Sequence, residues 1–407
     1  MAMFVNYGVR YTKTVLIKDV IEDLGLSRSA GSLPFTVSIM VYALLAPVVG
    51  WLVDRYGPRW VMASGAMLAG LGLWMCSRVN SLAAFIFTFG IIFGIAGNGI
   101  GLVPSNTSVT MWFRRRLGLA LGIATMGIGF GTMILPRITG MVNAEWGWRT
   151  SFQFLGYVAW ALVVPILIFL RPKKETDKYN EEGDEVEIPS DDTASEETPS
   201  QDTGPMGGLD LRDALRTPSF WLLFMAFVLI VIAIYGVMLH QVPFATDRGI
   251  DKGWADWSIA IVGATSILGR LFFGWLSDHT AEKKSALYPA CALLLVSMTV
   301  LIFVHNVWSL MLFSALFGFG YAAYGPVVPA VIAEVFGKLN MGAIFGAVTT
   351  GGALGGAAGP YIAGLIYDTA GSYVWAWILG LACVVIATYL IHHVRIVWRD
   401  EGNDVRR

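Results

Sequence analysis

The chain has 407 residues, of which 56% are hydrophobic and only 14% are charged. Soluble domains carry about 25% charged residues, so this composition excludes an ordinary soluble protein and indicates an integral membrane protein. The net charge of −1 gives no electrostatic reason to expect a nucleic-acid partner or an acidic partner. The three cysteines lie in apolar runs without metal-ligand spacing, and the five histidines form no metal motif, so we expect no metal and no other cofactor.

The N-terminal segment changes character within one helix length. Residues 1–9 are apolar but too few to span a bilayer, which needs about 20 apolar residues. Charged residues follow directly: Arg10, Lys13, Lys18 and Asp19. The chain either begins inside its first helix or has a polar first helix that its neighbours shield, and we expect a shortened helix that ends near Asp23. The segment has neither the basic lead nor the cleavage site of a secretory signal peptide.

Apolar stretches then recur regularly along the chain. The expected helices lie at about residues 31–53, 59–78, 82–104, 118–140 and 150–170, and then at about 219–244, 256–277, 285–304, 308–333, 341–366 and 373–394. Before the seventh helix, Thr217 is a suitable N-cap and Pro218 a suitable first helical residue. With the first helix, these stretches predict an all-α membrane protein of twelve transmembrane helices.

The middle of the chain is acidic and separates two equal groups of helices. Residues 175–202 contain twelve Asp or Glu and a single base, Lys178. Such a segment cannot bury enough apolar surface to fold, so we expect a disordered connector. The predicted organisation is an N-terminal six-helix bundle at residues 1–171, the acidic loop at 172–210, a C-terminal six-helix bundle at 211–395 and a tail at 396–407.

Basic residues are distributed unevenly between the two sets of loops. One set of short loops carries eight: Arg55, Arg59, Arg114, Arg115, Arg116, Lys283, Lys284 and Lys338. The opposite set carries five: Arg28, Arg78, Arg149, Arg248 and Lys252. The positive-inside rule places the richer side, with both termini and the acidic loop, in the cytoplasm. We therefore expect a multi-pass protein of the plasma membrane, which is the inner membrane if the source is bacterial.

One constant offset relates the two halves. The motif Gly50–Asp54 recurs as Gly274–Asp278, 224 positions later. The same offset links five further pairs: Gly118 with Gly342, Gly122 with Gly346, Gly127 with Gly351, Gly131 with Gly355 and Pro136 with Pro360. Glycines allow helices to approach closely in a membrane. A duplicated six-helix unit is typical of alternating-access transporters, which hold the substrate between the halves near the bilayer midplane.

The eighth predicted helix carries an unusual charge. The run Trp257–Asp278 is apolar and long enough to cross a bilayer, yet Arg270 lies well inside it. A cation at that depth costs about 2.5–3.5 kcal/mol on insertion scales, so it faces a protein interior or a watery cavity. It is either a structural arginine paired within the bundle or a carboxylate-binding arginine on a transport path. The 224-residue offset maps it to Ala46, so the first half has no counterpart charge, which favours the substrate role.

Four segments carry a resemblance to a known family. Gly50–Arg59, which reads GWLVDRYGPR, resembles the loop 2–3 signature of the major facilitator superfamily. Trp112–Gly122 is similar to the loop 4–5 pattern of its monocarboxylate porter and oxalate:formate antiporter branches. Leu211–Trp221 and His240–Asp247 are similar to the entry and the end of the seventh helix in those branches. The resemblance covers nearly the whole chain and implies the major facilitator fold, with two pseudo-symmetric six-helix bundles.

The resemblance implies a role for the eighth-helix arginine. In those branches an arginine at the position of Arg270 binds the substrate carboxylate, and a planar guanidinium suits bidentate carboxylate recognition. Two departures matter. Animal monocarboxylate transporters have an aspartate one turn earlier, where this chain has Ser266, and the oxalate antiporter has an eleventh-helix lysine that residues 346–351 lack. One interior cation therefore favours a monoanion such as lactate or pyruvate, with Ser266 as a further substrate-binding candidate.

Several other side chains are candidates for the substrate site. Tyr321 and Tyr324 in the tenth helix fall where relatives line the cavity with aromatic residues, and each either lines the cavity or simply packs. Tyr11 falls where the animal transporters have a functional lysine. Its basic neighbours, Arg10 among them, either supply another charge or lie near a helix end. Asn98 is polar at membrane depth, so it needs a hydrogen-bond partner.

Another group of charged residues points to gating and coupling. Asp54, Arg55 and the repeat-related Asp278 are expected to latch the cytoplasmic gate, because charge pairs and helix dipoles stabilise one access state over another. For proton coupling the candidates are Asp247 and His240, which titrates near neutral pH if its pKa is unperturbed. His240 is alternatively a structural histidine near the outer end of its helix.

These observations predict a membrane transporter rather than an enzyme. We expect alternating-access transport of a small monocarboxylate, with proton symport as the leading coupling hypothesis, because a proton balances an anion and because the resemblance implies it. Exchange of one carboxylate for another is the alternative, and a membrane carboxylate sensor is an alternative of a different class. The expected partners are a small organic acid anion, a proton and the lipid bilayer, with no nucleic acid and no obligate protein partner.

Overall fold

The computed structural model of the protein describes residues 1–26, 28–113, 116–170 and 207–398. Within these ranges the chain is helical apart from short connections. Most of the predicted acidic loop lies outside the described residues, and so do Arg114, Arg115 and the part of the predicted tail beyond residue 398.

The first half forms six helices. α1 comprises Ala2–Tyr11 and Lys13–Asp23, which Thr12 joins in a helical conformation. α2 and α3 are Arg28–Tyr56 and Pro58–Cys76. α4 consists of four successive segments: Leu82–Phe85, Ile86–Phe93, Gly94–Gly99 and Leu102–Trp112. The non-helical Gly147 divides Leu117–Ala161 into α5 at 117–146 and α6 at 148–161, which Val163–Phe169 extends.

The second half forms six more helices. After a short turn at Leu211–Ala214, α7 is Pro218–Asp247 and α8 is Lys252–His279. A 3₁₀ turn at Lys283–Ala286 leads into α9, which is Leu287–Ile302. The last three helices are α10, Val307–Tyr321 and Tyr324–Phe336; α11, Met341–Ala370; and α12, Val374–His393.

The predicted twelve-helix, all-α membrane architecture is confirmed. In the described part of the chain, nine helical stretches are long and apolar enough to cross a membrane, and one of them contains both α5 and α6. α1 and α3 complete the set of twelve. α7 and α8 extend a few residues past the predicted ends because their caps lie outside the apolar runs, whereas α9 and α12 are slightly shorter than predicted. Asp251 caps α8 by accepting from the Gly253 amide at 2.9 Å, and Thr217 caps α7 as predicted.

α1 ends at Asp23, as predicted, but residues 2–23 are long enough to span a bilayer, so the helix is not shortened, and neighbouring helices shield its polar residues. Asn6 and Thr12 are buried, and the Thr12 hydroxyl donates to the Val9 carbonyl at 2.7 Å. The backbone of α1 lies directly against α5, since a Cβ atom at Gly131 would be only 2.1 Å from the Phe4 carbonyl oxygen. Because neighbouring helices cover it, α1 does not need to be apolar on every face.

The two halves are in contact at glycines that the 224-residue offset relates to one another. α2 lies against α11, where a Cβ atom at Gly50 would be 2.0 Å from the Gly342 carbonyl oxygen. α8 lies against α5 in the same way, because a Cβ atom at Gly274 would be 2.3 Å from the Gly118 carbonyl oxygen. Each half therefore contributes two small-residue helix faces to the contact with the other half. Near the predicted cytoplasmic end, the repeat-related helices α2 and α8 thus each pack on a helix of the opposite half, α11 and α5.

Replacing Gly274 by alanine should push α8 away from α5 and lower the melting temperature of the purified protein in detergent. Overpacking of this kind costs about 1–3 kcal/mol. Gly263→Ala is the matched control, since it lies in the same helix and its Cβ atom would meet no atom within 4 Å. Equal melting temperatures for the two variants would contradict the close approach of the helices.

Candidate functional site

The candidate site is centred on Arg270 in α8, whose side chain is buried, with 5% of its surface exposed. Its Nη1 donates to the Ser266 hydroxyl at 2.7 Å, and that hydroxyl donates to the Gly263 carbonyl at 2.7 Å. The guanidinium carbon lies 5.7 Å from the ring centroid of Tyr321 on α10. A serine one turn away and one aromatic ring therefore orient the guanidinium group.

The charge of Arg270 has no carboxylate partner among the described residues. Its Nε is buried without a hydrogen-bond partner, and the ion pairs in the described part of the chain do not include it. A guanidinium group carries five N–H donors, and a buried cation without a counter-charge is costly. The arrangement suits an external anion, and a carboxylate accepts two parallel N–H bonds from such a group.

Tyrosines from both halves surround this guanidinium group. Tyr11 on α1 and Tyr235 on α7 each lie close enough to Arg270 and Tyr321 to interact with them electrostatically. Tyr11 is 41% exposed and Tyr235 is 43% exposed, although their neighbours belong to both halves. Their rings therefore face the space between the two bundles. A tyrosine offers such a space an apolar wall and one hydroxyl donor, which suits a small organic acid.

Sequence reasoning missed three members of this tyrosine cluster, Tyr235, Tyr42 and Tyr7, the last of which interacts with Tyr42, Tyr235 and Arg10. Tyr235 was detectable, because it lies 224 positions after Tyr11 and therefore occupies the repeat-related place on α7. Tyr42 on α2 has no comparable signal, since its repeat partner is Ser266. Arg10, whose role the sequence left open, lies with its guanidinium carbon 4.0 Å from the Tyr42 ring centroid.

Tyr324 and Asn98, which the sequence predicts to bind substrate, contact neighbouring helices within their own half. Tyr324 is buried, and its hydroxyl lies 3.2 Å from the sulfur of Cys291 on α9, within the C-terminal half. Asn98 is buried in α4, and its amide nitrogen donates to the Tyr42 carbonyl at 2.7 Å, which ties α4 to α2. The predicted substrate residues that the structure brings together are Arg270, Ser266, Tyr321 and Tyr11.

The aspartates of the repeated motif hold the two halves together. The Asp54 carboxylate accepts from both backbone amides of Gly342–Ala343 at 2.8 Å, where α11 begins. The Asp278 carboxylate accepts from the amides of Gly118–Leu119 at 2.7 and 2.9 Å, where α5 begins. Each anion therefore lies at the positive end of a helix dipole in the opposite half. We call these two contacts the aspartate latches.

Three basic residues near the latches, Arg55, Lys283 and Lys338, make different contacts. Arg55 is exposed and stacks against Trp51, with its guanidinium carbon 5.2 Å from the ring centroid. Lys283 forms an ion pair with Asp278 at 3.6 Å. Lys338 adds a further bond between the halves, because its ammonium group donates to the Thr110 carbonyl at 2.9 Å. In the described residues the predicted cytoplasmic end is therefore closed by backbone capping rather than by an Asp–Arg pair.

The two proton-coupling candidates lie near each other at the other end of α7. His240 Nε2 lies 3.0 Å from the Pro360 carbonyl oxygen and Nδ1 lies 3.1 Å from the Tyr373 hydroxyl. A carbonyl only accepts, so Nε2 carries a proton, while Nδ1 pairs with the Tyr373 hydroxyl. Burial, and then the carboxylate of the exposed Asp247, raises the pKa of Tyr373, which keeps its phenol protonated as a donor. His240 therefore braces α7 against α11 and the start of α12.

Comparison with known proteins places this site in a family context. The sequence model described as Major Facilitator Superfamily matches residues 1–297 and 234–407. Monocarboxylate transporter 12 of Mus musculus is 29% identical over 359 residues, which are 84% of this chain and 72% of that protein. The oxalate:formate antiporter of Oxalobacter formigenes is 26% identical over 365 residues, covering 88% and 81%. The crystal structure of the human organic anion transporter MFSD10 has a similar fold, with a TM-score of 0.71, 17% identity and coverage of 96% and 98%.

Neutralising either aspartate latch should loosen the predicted cytoplasmic end. Asp54→Asn and Asp278→Asn each remove a charge-assisted helix cap, which costs about 1–3 kcal/mol. Spin labels on cysteines placed at the exposed positions Tyr56 and Leu339, one in each half, should report longer distances. Asp213→Asn is the control, because that exposed carboxylate contacts only Arg216 of its own turn among the described ion pairs. Unchanged distances in both latch variants would rule out the gating role.

Proposed function

The chain belongs to the major facilitator superfamily, and on that basis we propose that it is a secondary active transporter of small monocarboxylates of the lactate and pyruvate type. One observation carries the proposal: the buried guanidinium group of Arg270 faces the space between the halves and has no carboxylate partner among the described residues. An anionic substrate supplies the missing charge. Relatives named as a monocarboxylate transporter and an oxalate:formate antiporter support a carboxylate rather than another anion.

The proposed transport cycle uses alternating access around Arg270. A substrate carboxylate binds its guanidinium group while the aspartate latches close the predicted cytoplasmic end. Release of the latches opens that end and closes the other, so the substrate changes sides without a continuous pore. Ser266 holds the guanidinium in place throughout, since their hydrogen bond lies within α8 and moves with it. We place the carrier in the plasma membrane with both termini in the cytoplasm, following the distribution of basic residues.

Arg270→Gln should abolish binding and transport of lactate. Truncating one partner of a buried charge pair costs about 2–5 kcal/mol, so lactate should no longer raise the melting temperature of the purified variant. Counterflow of labelled lactate into lactate-loaded liposomes should fall to background, and Arg270→Lys should recover only part of it because lysine lacks the planar fork. Arg78→Gln is the control, since Arg78 is exposed and stacks on Trp74, with 3.7 Å between the guanidinium carbon and the ring centroid.

The outcomes of that experiment separate the possible functions. Near-normal counterflow by a folded Arg270→Gln variant would overturn the anchor assignment. Lactate binding by the wild-type protein without any counterflow would instead identify a membrane sensor. Loss in the Arg270 variants with full activity in Arg78→Gln would support the proposed carrier.

Coupling to protons is the proposed mode of energisation, with His240 as the proton-carrying group. The alternative is exchange of one carboxylate for another, and one observation favours it: the residue hydrogen-bonded to Arg270 is Ser266, which carries no titratable proton in the physiological range. His240 supports symport because its Nδ1 is available to take up a proton if Tyr373 turns from donor to acceptor.

Proton symport predicts that an inward proton gradient accelerates net lactate uptake and that a protonophore removes this acceleration. His240→Gln should lose the acceleration while keeping counterflow, because counterflow requires no net proton movement. His305→Gln is the control, since this histidine is exposed and, among the described residues, its ring contacts Arg248 while its backbone amide donates to the Ser309 hydroxyl. Wild-type uptake that ignores the gradient would establish exchange in place of symport, and acceleration that persists in His240→Gln would remove His240 from the mechanism.

A further inference from the structure

A second arginine faces the same space from the N-terminal half. Arg10 lies on α1, where its guanidinium carbon is 4.0 Å from the ring centroid of Tyr42 on α2. It interacts electrostatically with Tyr11 and Tyr235, which are the two tyrosines that also interact with Arg270. One tyrosine cluster therefore lies between two guanidinium groups, and each half of the protein contributes one of them.

Arg10 also lacks a counter-charge. Its Nε and Nη2 are buried without hydrogen-bond partners, and the ion pairs of the described residues do not include it. The contact with the Tyr42 ring contributes about 0.5–2 kcal/mol, which offsets only part of the cost of removing a cation from water. Most buried polar groups in folded proteins are hydrogen-bonded, so two unpaired nitrogen atoms on one charged group leave donors that a ligand can use.

The recess around Arg10 is polar and incompletely hydrogen-bonded. Asn6, one helical turn earlier, is fully buried, and neither its amide nitrogen nor its oxygen has a partner. Asn98 leaves its Oδ1 unpaired. Gly97 keeps the recess free of a side chain on the α4 side, because a Cβ atom there would lie 2.9 Å from Asn6 Oδ1 and 3.5 Å from Arg10 Nη2. The unpaired donors of Arg10 and Asn6 suit the oxygen atoms of an anion, and the unpaired oxygen atoms of Asn6 and Asn98 suit a hydrogen-bond donor.

We propose that Arg10 is a second carboxylate anchor, so that the space between the halves holds two carboxylate groups at once, one on Arg10 and one on Arg270. This inference rests on the proposed function, because it takes Arg270 as the first anchor. A neutral acceptor would satisfy the N–H groups of Arg10 but leave its charge uncompensated, whereas a carboxylate does both. The two groups belong to one dicarboxylate or to two monocarboxylates. A single interior cation favours a monoanion, but two interior cations do not.

A purely structural role for Arg10 makes a different prediction. Stacking on Tyr42 would contribute to folding, and its loss would lower the melting temperature, but it would not change which ligand binds better. Selectivity between ligands of the same shape and different charge is therefore the decisive measurement.

The test compares malonate with malonamate, in which a neutral amide replaces one carboxylate. Competition against labelled lactate on purified protein should show that the wild type binds malonate at least about tenfold more tightly than malonamate, since each well-placed charge contact contributes at that level. Arg10→Gln should bind the two ligands about equally, Arg10→Lys should retain part of the preference, and the exposed control Arg78→Gln should retain all of it. Arg270→Gln should bind neither ligand.

Equilibrium dialysis with labelled lactate distinguishes the two sources of the second carboxylate. A malonate preference that Arg10→Gln loses identifies a dicarboxylate. No malonate preference, together with two lactates per wild-type carrier and one per Arg10→Gln carrier, identifies two monocarboxylates. A preference unchanged in folded Arg10→Gln, or one lactate per carrier without any malonate preference, would overturn the second anchor and leave the Arg270 anchor intact. Unaltered binding by Arg270→Gln would instead overturn the Arg270 anchor on which the proposed function rests.

Discussion

Arg270 has to remain charged inside a membrane protein with one serine, one aromatic ring and no carboxylate among the described residues to balance it. A guanidinium group does not lose its proton, so the cost of burying this charge is either borne by the fold or removed by a ligand. The surrounding structure accommodates that constraint. The exposed rings of Tyr11 and Tyr235 lie beside the buried charge. The helix that carries it is fixed by close contacts elsewhere, so the fold does not depend on an anion to hold it.

Those close contacts come from the duplication. Gly274 allows α8 to lie on α5, and Asp278, one turn later, caps α5 through two backbone amides. The repeat-related Gly50 and Asp54 do the same for α2 and α11. The glycine and the aspartate therefore act as one unit: the glycine brings the helices together, and the aspartate uses that proximity to place its charge at the helix end. An interface made of carboxylates and backbone amides can separate and reform as a whole, which suits a gate.

The sequence predicts the framework well and the site only in part. Apolar length and the glycine repeat locate the helices, and the length of the run around Arg270 is enough to place the charge inside the bundle. The sequence does not show which of Tyr321 and Tyr324 faces the site. Both follow from the same pattern in α10, but the helix is interrupted at Ala322–Ala323, so one ring lies beside Arg270 and the other turns towards α9. Arg10 was ambiguous for a related reason, since composition does not show whether a polar stretch ends a helix or is covered by a neighbour.

The position of the two arginines has a consequence for how substrate and conformation are coupled. Arg270 belongs to α8 and Arg10 to α1, so an anion that contacts both connects the two halves directly. Without it, closing the space between the halves would bring two uncompensated cations into a drier environment, and their repulsion would grow as the local dielectric constant falls. With it, the same movement strengthens two charge-assisted contacts. A ligand shifts a conformational equilibrium only through its different affinity for the two states, and this geometry supplies such a difference from the cargo itself. Reorientation of the empty carrier would then be the costly step, so exchange of two anions would proceed faster than net transport unless a proton or a second ligand replaces the missing charge.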